Sequence, residues 1–399
     1  MRIWEYVPIY TRVNGSTLPD VPQSRYLRTA LSKVLSDRKM AFIGGPRQVG
    51  KTTLALGFLG TRATAKHPAY FNWDDPRAAA RLRRVELPAS EPVLVFDEIH
   101  KYARWRGLVK GIYDVEKSER KIVVTGSARL DYYRKGGDSL VGRYRYFRLH
   151  PFSLPELGPR ASAADLAALL RFGGFPEPFF RQDAAEHRIW QRDRLSQVLR
   201  EDLRDLEHVR EVSLVEQLVD LLPQRVGSPL SVANLAGDLQ VDHKTVERWL
   251  QILENLYVCF RAAPLGFSRI RAVKKERKLY LWDWSAIPEP GPRFENLVAC
   301  QLLKYCHFVE DTQGHRMELR FLRDTSRREV DFVVLRDERP LFAVECKVSG
   351  KQADPALGYF AERVGVPRFY QTHLGDEHHE RGRVTVIPFA RLCQEWELP

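Results

Sequence analysis

At 399 residues, 44% of them hydrophobic and 29% charged, the chain is too long for one ordinary core and has enough apolar material to bury in two or three domains. No run approaches the roughly 18 apolar residues of a membrane span, and Met1-Arg2-Ile3-Trp4-Glu5-Tyr6 lacks the apolar core of a signal peptide, so a soluble cytoplasmic protein with no membrane partner is expected. The formal charge of +12 favours an anionic partner, nucleic acid first, although excess arginine also solvates a large surface. Five scattered cysteines, Cys259, Cys300, Cys306, Cys346 and Cys393, show no metal-ligand pairing and read as reduced thiols.

In chain order, residues 1–22 form an entry segment with a turn-rich Asn14-Gly15-Ser16, and residues 23–160 alternate helical stretches with buried strands as an α/β core. The strongest signal lies at its start. The apolar run Met40-Ala41-Phe42-Ile43 leads into Gly45-Pro46-Arg47-Gln48-Val49-Gly50-Lys51-Thr52, followed by Thr53, which is the strand, glycine loop and helix start of a nucleoside triphosphate site. Gly45 and Gly50 let successive amides turn inward on phosphate oxygens. Lys51 is placed to reach the β- and γ-phosphates of ATP and Thr52 to put a hydroxyl on Mg²⁺, with the helix start adding partial positive charge.

Ala69-Tyr70-Phe71-Asn72-Trp73 reads as a further strand. Val93-Leu94-Val95-Phe96 reads as a strand buried on both faces, and Asp97-Glu98 fall at its C-terminal end, where ligands of parallel sheets collect. Asp97 would hold the magnesium through water, and Glu98 would orient and polarise the attacking water. Lys121-Ile122-Val123-Val124-Thr125-Gly126-Ser127 reads as another strand, ending in small polar residues suited to contact the γ-phosphate or the attacking water, with Ser127 the candidate sensor. A short helix is expected over 131–142, then Arg143 and a strand from Tyr144 to Leu149. Arg143 is placed to reach the nucleotide of a neighbouring subunit as a finger, or else is a solvated cation paired with Asp138.

Residues 161–210 read as a helical lid interrupted by Gly173-Gly174-Phe175-Pro176. Residues 211–275 read as a winged helix-turn-helix. Ser231 caps its first helix and Asp242 its second, with Val246, Trp249, Leu250 and Leu253 at helical spacing on the buried side. His243, Lys244, Thr245, Glu247 and Arg248 then lie near the exposed start of the second helix, where DNA readers make base and phosphate contacts; a purely structural or dimerising helix pair stays open.

Residues 276–399 follow with a Pro-rich linker, a helix opening at Phe294-Glu295-Asn296, and strands at Glu329–Val334 and Leu341–Val348. Strand alternation puts Glu345 and Lys347 on one face. Asp331 and Glu345 could hold a divalent metal with Glu295 joining them, while Lys347 activates water; a salt-bridged pair is the competing reading.

The order of these parts resembles the prokaryotic AAA-type ATPases that carry a C-terminal domain of uncharacterised function. The resemblance rests on the glycine loop, Asp97-Glu98-Ile99-His100-Lys101, Thr125-Gly126-Ser127-Ala128, Ser139-Leu140-Val141-Gly142-Arg143 and Pro151-Phe152-Ser153-Leu154-Pro155-Glu156. It continues through Gly173-Gly174-Phe175-Pro176-Glu177, Phe294-Glu295-Asn296, Glu329-Val330-Asp331-Phe332 and Glu345-Cys346-Lys347. It implies an α/β fold: a P-loop AAA+ parallel-sheet core with a helical lid, a winged helix-turn-helix and a restriction-nuclease-like domain of the PD-(D/E)XK type. The expectation is an ATP- and Mg²⁺-dependent hydrolase moving on or remodelling duplex or branched DNA, as a homo-oligomer such as a hexameric ring. Two alternatives stand beside it: an ATP-gated signalling or defence switch with a protein-binding tail, and an ATP-controlled metal-dependent DNA nuclease.

Overall fold

The computed structural model describes residues 12–13, 16–17, 25–60, 63–126, 140–158, 161–202, 211–266, 276–350 and 352–399. Ser127 and residues 131–139 of the expected short helix, Asp138 among them, lie outside the described residues. The chain divides into two compact units, Met1–Pro151 with Phe175–Asp183, and Phe152–Gly174 with Ala184–Pro399.

The first unit opens with a short antiparallel ribbon, β1 (Arg12–Val13) and β2 (Ser16–Thr17). Its main sheet has five strands: β3 (Met40–Gly44), β4 (Tyr70–Asn72), β5 (Val93–Asp97), β6 (Lys121–Thr125) and β7 (Tyr144–Arg148). They lie in the order β4-β5-β6-β3-β7, and every pair is parallel. Continuous apolar runs are what such a sheet demands, because helices cover both faces and leave no polar side for alternation. Phe42, Phe71, Phe96, Val124, Trp105, Val109 and Ile112 form the resulting core, the last three from the helix Trp105–Glu116.

Register then does the positional work. Ile43 pairs with Thr125, Thr125 with Asp97, and Asp97 with Asn72, so the polar ends of four strands emerge at one edge beside the glycine loop. The acid-bearing strand is not adjacent to the loop-bearing one, because β6 lies between them.

The second unit is built on an eight-stranded mixed sheet in the order β14-β15-β13-β12-β11-β10-β8-β9. Its strands are β8 (Cys259–Pro264), β9 (Lys278–Leu281), β10 (Met317–Arg323), β11 (Glu329–Arg336), β12 (Arg339–Cys346), β13 (Phe369–His373), β14 (His379–Arg381) and β15 (Val384–Pro388). A 24-residue helix, Pro290–Gln313, packs on it through Phe294, Leu297, Val298 and Leu302. Its fully buried Lys304 bonds Ser153 Oγ at 2.8 Å and pairs with the Glu156 carboxylate. That pairing is a structural reason for the Ser153-Leu154-Pro155-Glu156 stretch, since a buried ammonium is tolerated only when charge-paired and hydrogen-bonded.

Where the lid is expected, the helices Ala163–Phe172, Pro176–Arg181 and Ala184–Gln197 occur, the first closed by Ser162 and Asp165 in a reciprocal capping box. Gly173 ends it at φ +77°, where an added Cβ would come within 2.9 Å of Asp283 Oδ1.

Candidate nucleotide site and the carboxylate cluster

The loop after β3 is shaped by positions that only glycine fills easily. Gly45 has φ +141°, and a Cβ there would lie 2.3 Å from the Leu149 carbonyl oxygen; Gly50 has φ +98°. Gln48 also takes a left-handed φ of 62°, so the backbone reverses three times within six residues. Two cations brace the turn from within the first unit. Arg25, nearly buried, donates from Nη1 to the Val49 carbonyl at 2.8 Å and from Nη2 to His150 O. Lys51 Nζ donates to Gly45 O at 3.0 Å and Pro46 O at 2.7 Å, which keeps the ammonium inside the loop it is expected to serve.

Thr52 is the second residue of the helix Lys51–Leu56, and its Oγ1 donates to Asp97 Oδ2 at 2.8 Å. Asp97 is 3% exposed and is held by two further donors, Tyr70 OH to Oδ2 at 2.6 Å and Thr125 Oγ1 to Oδ1. Burial and the Asp97 charge push the Tyr70 phenol far above its ordinary value, so it remains a donor. Tyr70 is a functional candidate that the motif reading passed over, and Thr125 belongs to the small polar strand end from which that reading chose Ser127. The one signal for them is that both occupy strands ending beside Asp97.

Glu98 sits at φ 55°, ψ 21°, a left-handed backbone rare for a non-glycine residue and found disproportionately at functional positions. Its carboxylate stands 3.6 Å from His100 Nε2 and 3.9 Å from Lys101 Nζ, and Lys101 is anchored 2.6 Å from Asp74. Burial raises the Glu98 pKa, Lys51 opposes the rise, and Asp97 adds to it. A carboxylate brought closer to neutrality while facing a lysine suits a group that accepts a proton or orients water.

Mg²⁺ on a nucleotide takes oxygen ligands and keeps much of its water. The hydroxyl of Thr52 and the carboxylate of Asp97, already in mutual contact, are a donor set that fits it.

Arg143 precedes β7, whose Tyr144 pairs with Met40 at the start of β3, so it lies at the opposite end of the sheet, roughly 15 Å of strand from the loop. Its Nε and Nη2 grip Asp114 Oδ1 and Oδ2 at 2.9 and 3.2 Å. Among the described residues, the carboxylate that meets it is Asp114.

Residues 37–158 match a family model described as an AAA domain. This region is a P-loop AAA-type domain. Beyond the AAA domain, residues 163–287 and 290–392 match two domains of unknown function, DUF8612 and DUF4143. Two uncharacterized mycobacterial proteins, Mb2031c of Mycobacterium bovis and Rv2008c of Mycobacterium tuberculosis, are each 25% identical over 255 residues, 63% of this chain and 56% of theirs. The match thus takes in only about half the length of those relatives. Among solved structures, the Aeropyrum pernix Orc1 protein in complex with DNA covers 71% of this chain and 94% of its own at 16% identity and TM-score 0.33. The Thermotoga maritima RuvB Holliday junction branch migration motor covers 59% and 87% at 18% and 0.30. These two likenesses are too weak to assign anything to the chain beside its AAA domain.

If Tyr70 aligns Asp97 for the metal of the AAA domain, Tyr70→Phe lowers ATP turnover about 10-fold and raises the Mg²⁺ concentration needed for half-maximal rate, the scale of one lost bond to a charged group. A Mg²⁺ titration of steady-state hydrolysis reads both, and a merely structural phenol would shift the melting temperature and leave the Mg²⁺ requirement alone.

In the second unit, Ser231 Oγ accepts from the Asn234 amide at 3.2 Å and caps the helix Val232–Leu239 as expected. Asp242 occupies the cap position of the next helix, His243–Asn255, without a side-chain cap bond, so that part of the capping expectation is corrected. Val246, Trp249, Leu250 and Leu253 are buried, while His243, Lys244 and Arg248 are exposed and Thr245 is half-buried. Glu247 instead turns to Arg261 of β8, whose Nη1 it receives at 2.9 Å beside Glu254 at 3.0 Å. That pairing offsets the charge of Glu247, whose side chain stays partly exposed.

The structure does bring Glu295, Asp331, Glu345 and Lys347 together, but with two additions, Glu329 and Lys278. Asp331 Oδ1 receives Lys278 Nζ at 2.9 Å and Oδ2 the Cys346 amide at 2.9 Å. Glu345 Oε2 receives the Asp331 amide at 3.2 Å, and Oε1 pairs with Lys347 at 2.8 Å. Every oxygen of the expected metal pair therefore already meets a protein donor. Among the described residues, no group of three or more His, Cys, Asp and Glu is arranged to hold a metal ion. A nuclease-type metal does not fit these residues as they stand.

Proposed function

We propose that the chain is a Mg²⁺-dependent ATP hydrolase whose cycle drives binding and remodelling of duplex or branched DNA, acting as a homo-oligomer. The observation that carries the hydrolytic part is the 2.8 Å contact between Thr52 and Asp97, with Glu98 beside it in a left-handed backbone. Bound with the nucleotide, Mg²⁺ would neutralise charge on the β- and γ-phosphates.

The backbone N–H groups of Gly45 to Thr53, Pro46 having none, hold the phosphates, and Lys51 leaves the Gly45 and Pro46 carbonyls to meet the γ-phosphate. Asp97 is kept in one orientation by Tyr70 and Thr125. Glu98 holds the attacking water in line and draws its proton toward Oε2, where His100 and Lys101 stabilise the carboxylate. Ser127 takes the sensor role, and Arg143 of a neighbouring subunit completes the charge clamp. Preorganised charge of this kind supplies most of the acceleration in phosphoryl transfer.

In this reading residues 161–210 are the lid, 211–275 a winged helix-turn-helix and 276–399 a nuclease-like fold. The net charge of +12 and the exposed His243, Lys244 and Arg248, with Thr245 beside them, support DNA as the partner. ATP turnover measured with single-stranded, duplex, forked and four-way DNA tests it. Duplex or branched DNA raises the rate several-fold, and the gain shrinks as salt rises because phosphate contacts release counterions. A slow rate indifferent to every DNA would favour a nucleotide-gated switch with a protein partner.

A further inference from the structure

Lys278, like Lys304, is a fully buried cation of the second unit, 0% exposed, on a strand whose other residues, Leu279, Tyr280 and Leu281, are apolar or aromatic and also buried. An ammonium has three N–H donors. Here three carboxylates surround it: Asp331 at 2.9 Å, Glu295 at 3.1 Å and Glu329 at 2.5 Å. Each comes from a different place in the chain or a different turn of strand, Glu295 from the long helix and Glu329 and Asp331 from one face of β11. Other donors surround this centre. Tyr280 OH gives at 2.8 Å to Glu295 Oε1, the oxygen Lys278 also meets, Arg323 pairs with the other oxygen of Glu329 at 2.5 Å, and Lys347 bridges Glu345 and Asp354 at 2.8 and 2.9 Å.

An arrangement of several buried carboxylates converging on one point is what a divalent cation ordinarily organises. In this chain the point of convergence is filled by a side chain. Burial alone would drive the Lys278 ammonium toward neutrality, and Asp331, Glu295 and Glu329 hold it well above its ordinary pKa instead. The cluster still carries more acid than base. Burial and Asp331 push both Glu295 and Glu345 up to about 8, the response of carboxyls whose negative charge is incompletely offset.

We propose that Lys278 is a tethered cation standing in place of a divalent metal: in the intact chain the Asp331–Glu345 cluster binds neither Mg²⁺ nor Mn²⁺ and cuts no DNA, and removing the ammonium turns the cluster into a divalent-cation site. The inference is independent of the ATPase reading, since it concerns another unit and is tested without nucleotide. Its logic is electrostatic. Deleting the lysine leaves Asp331, Glu295 and Glu329 converging in a buried space with no positive charge, a state that must either take up protons or recruit a cation.

The test counts bound Mn²⁺ on the full-length protein by the loss of its free paramagnetic signal. Wild type and Asp331→Asn bind the same amount, because the cluster holds none. Lys278→Met, close in shape and uncharged, binds one additional Mn²⁺ per chain, and the double variant Lys278→Met/Asp331→Asn loses it. Lys278→Met that folds and gains no ion overturns the proposal. So does wild-type protein that binds a Mn²⁺ lost on Asp331→Asn, or that nicks DNA in Mn²⁺ in a manner abolished by Glu345→Gln. Those two wild-type arms decide the matter even if Lys278→Met does not fold.

Discussion

Lys51→Ala removes ATP turnover, with an expected fall of about 10³-fold, on the scale of losing a principal charge-stabilising donor from a preorganised site. The position of the lysine explains why the effect exceeds that of an ordinary surface cation. The residue is 7% exposed and its ammonium is held by the Gly45 and Pro46 carbonyls at 3.0 and 2.7 Å, so it is delivered to the phosphates already localised. Lys51→Arg does not rescue, because a planar fork cannot sit on the same two carbonyls in a turn this tight. Loss of the two bonds costs about 1–3 kcal/mol of local stability at most, so the melting curve should keep its cooperative shape. Steady-state phosphate release on the purified variants reads the effect.

Arg143→Ala gives the second large effect, a fall in turnover of about 10³-fold with ATP affinity unchanged, which is the signature of an arginine acting in the transition state from another subunit. In the chain as folded, the guanidinium is parked on Asp114 at the far end of the parallel sheet from its own loop. It therefore cannot serve its own nucleotide, and service in trans requires exchange of the exposed Asp114 pair for a phosphate. A solvent-exposed pair of this kind is weak enough to give up. Mixing Arg143→Ala with Lys51→Ala should restore activity, because some interfaces then join an intact loop to an intact arginine. Failure of the mixture to recover, with Arg143→Ala as active per folded chain as wild type, would leave the arginine a sheet-end salt bridge.

The nucleotide site was legible because its chemistry is local. Gly45, Gly50, Lys51 and Thr52 are consecutive or nearly so, and a run such as Val93 to Phe96 announces both its strand and the end at which Asp97 emerges. What stayed hidden depends on register between distant strands. Tyr70 reaches Asp97 only because β4 pairs with β5, and the interposed β6 that brings Thr125 to the same carboxylate leaves no mark in spacing. The centre of the carboxylate cluster stayed hidden for the same reason in a sharper form. Asp331, Glu345, Glu295 and Lys347 can be picked from the sequence, but Lys278 looks like one more basic residue in Lys274-Lys275-Glu276-Arg277-Lys278 until β9 turns it inward. One lysine, unreadable by position, joins Asp331, Glu295 and Glu329 in a single salt-bridge network.

The central claim is that the turn after Ile43 binds the triphosphate of ATP with its magnesium. Equilibrium titration of a fluorescent ATP analogue, with Mg²⁺ and with chelator, tests it most directly on wild type and Lys51→Ala. The account predicts saturable, Mg²⁺-strengthened binding to wild type and its loss in Lys51→Ala; equal binding by both proteins would contradict it.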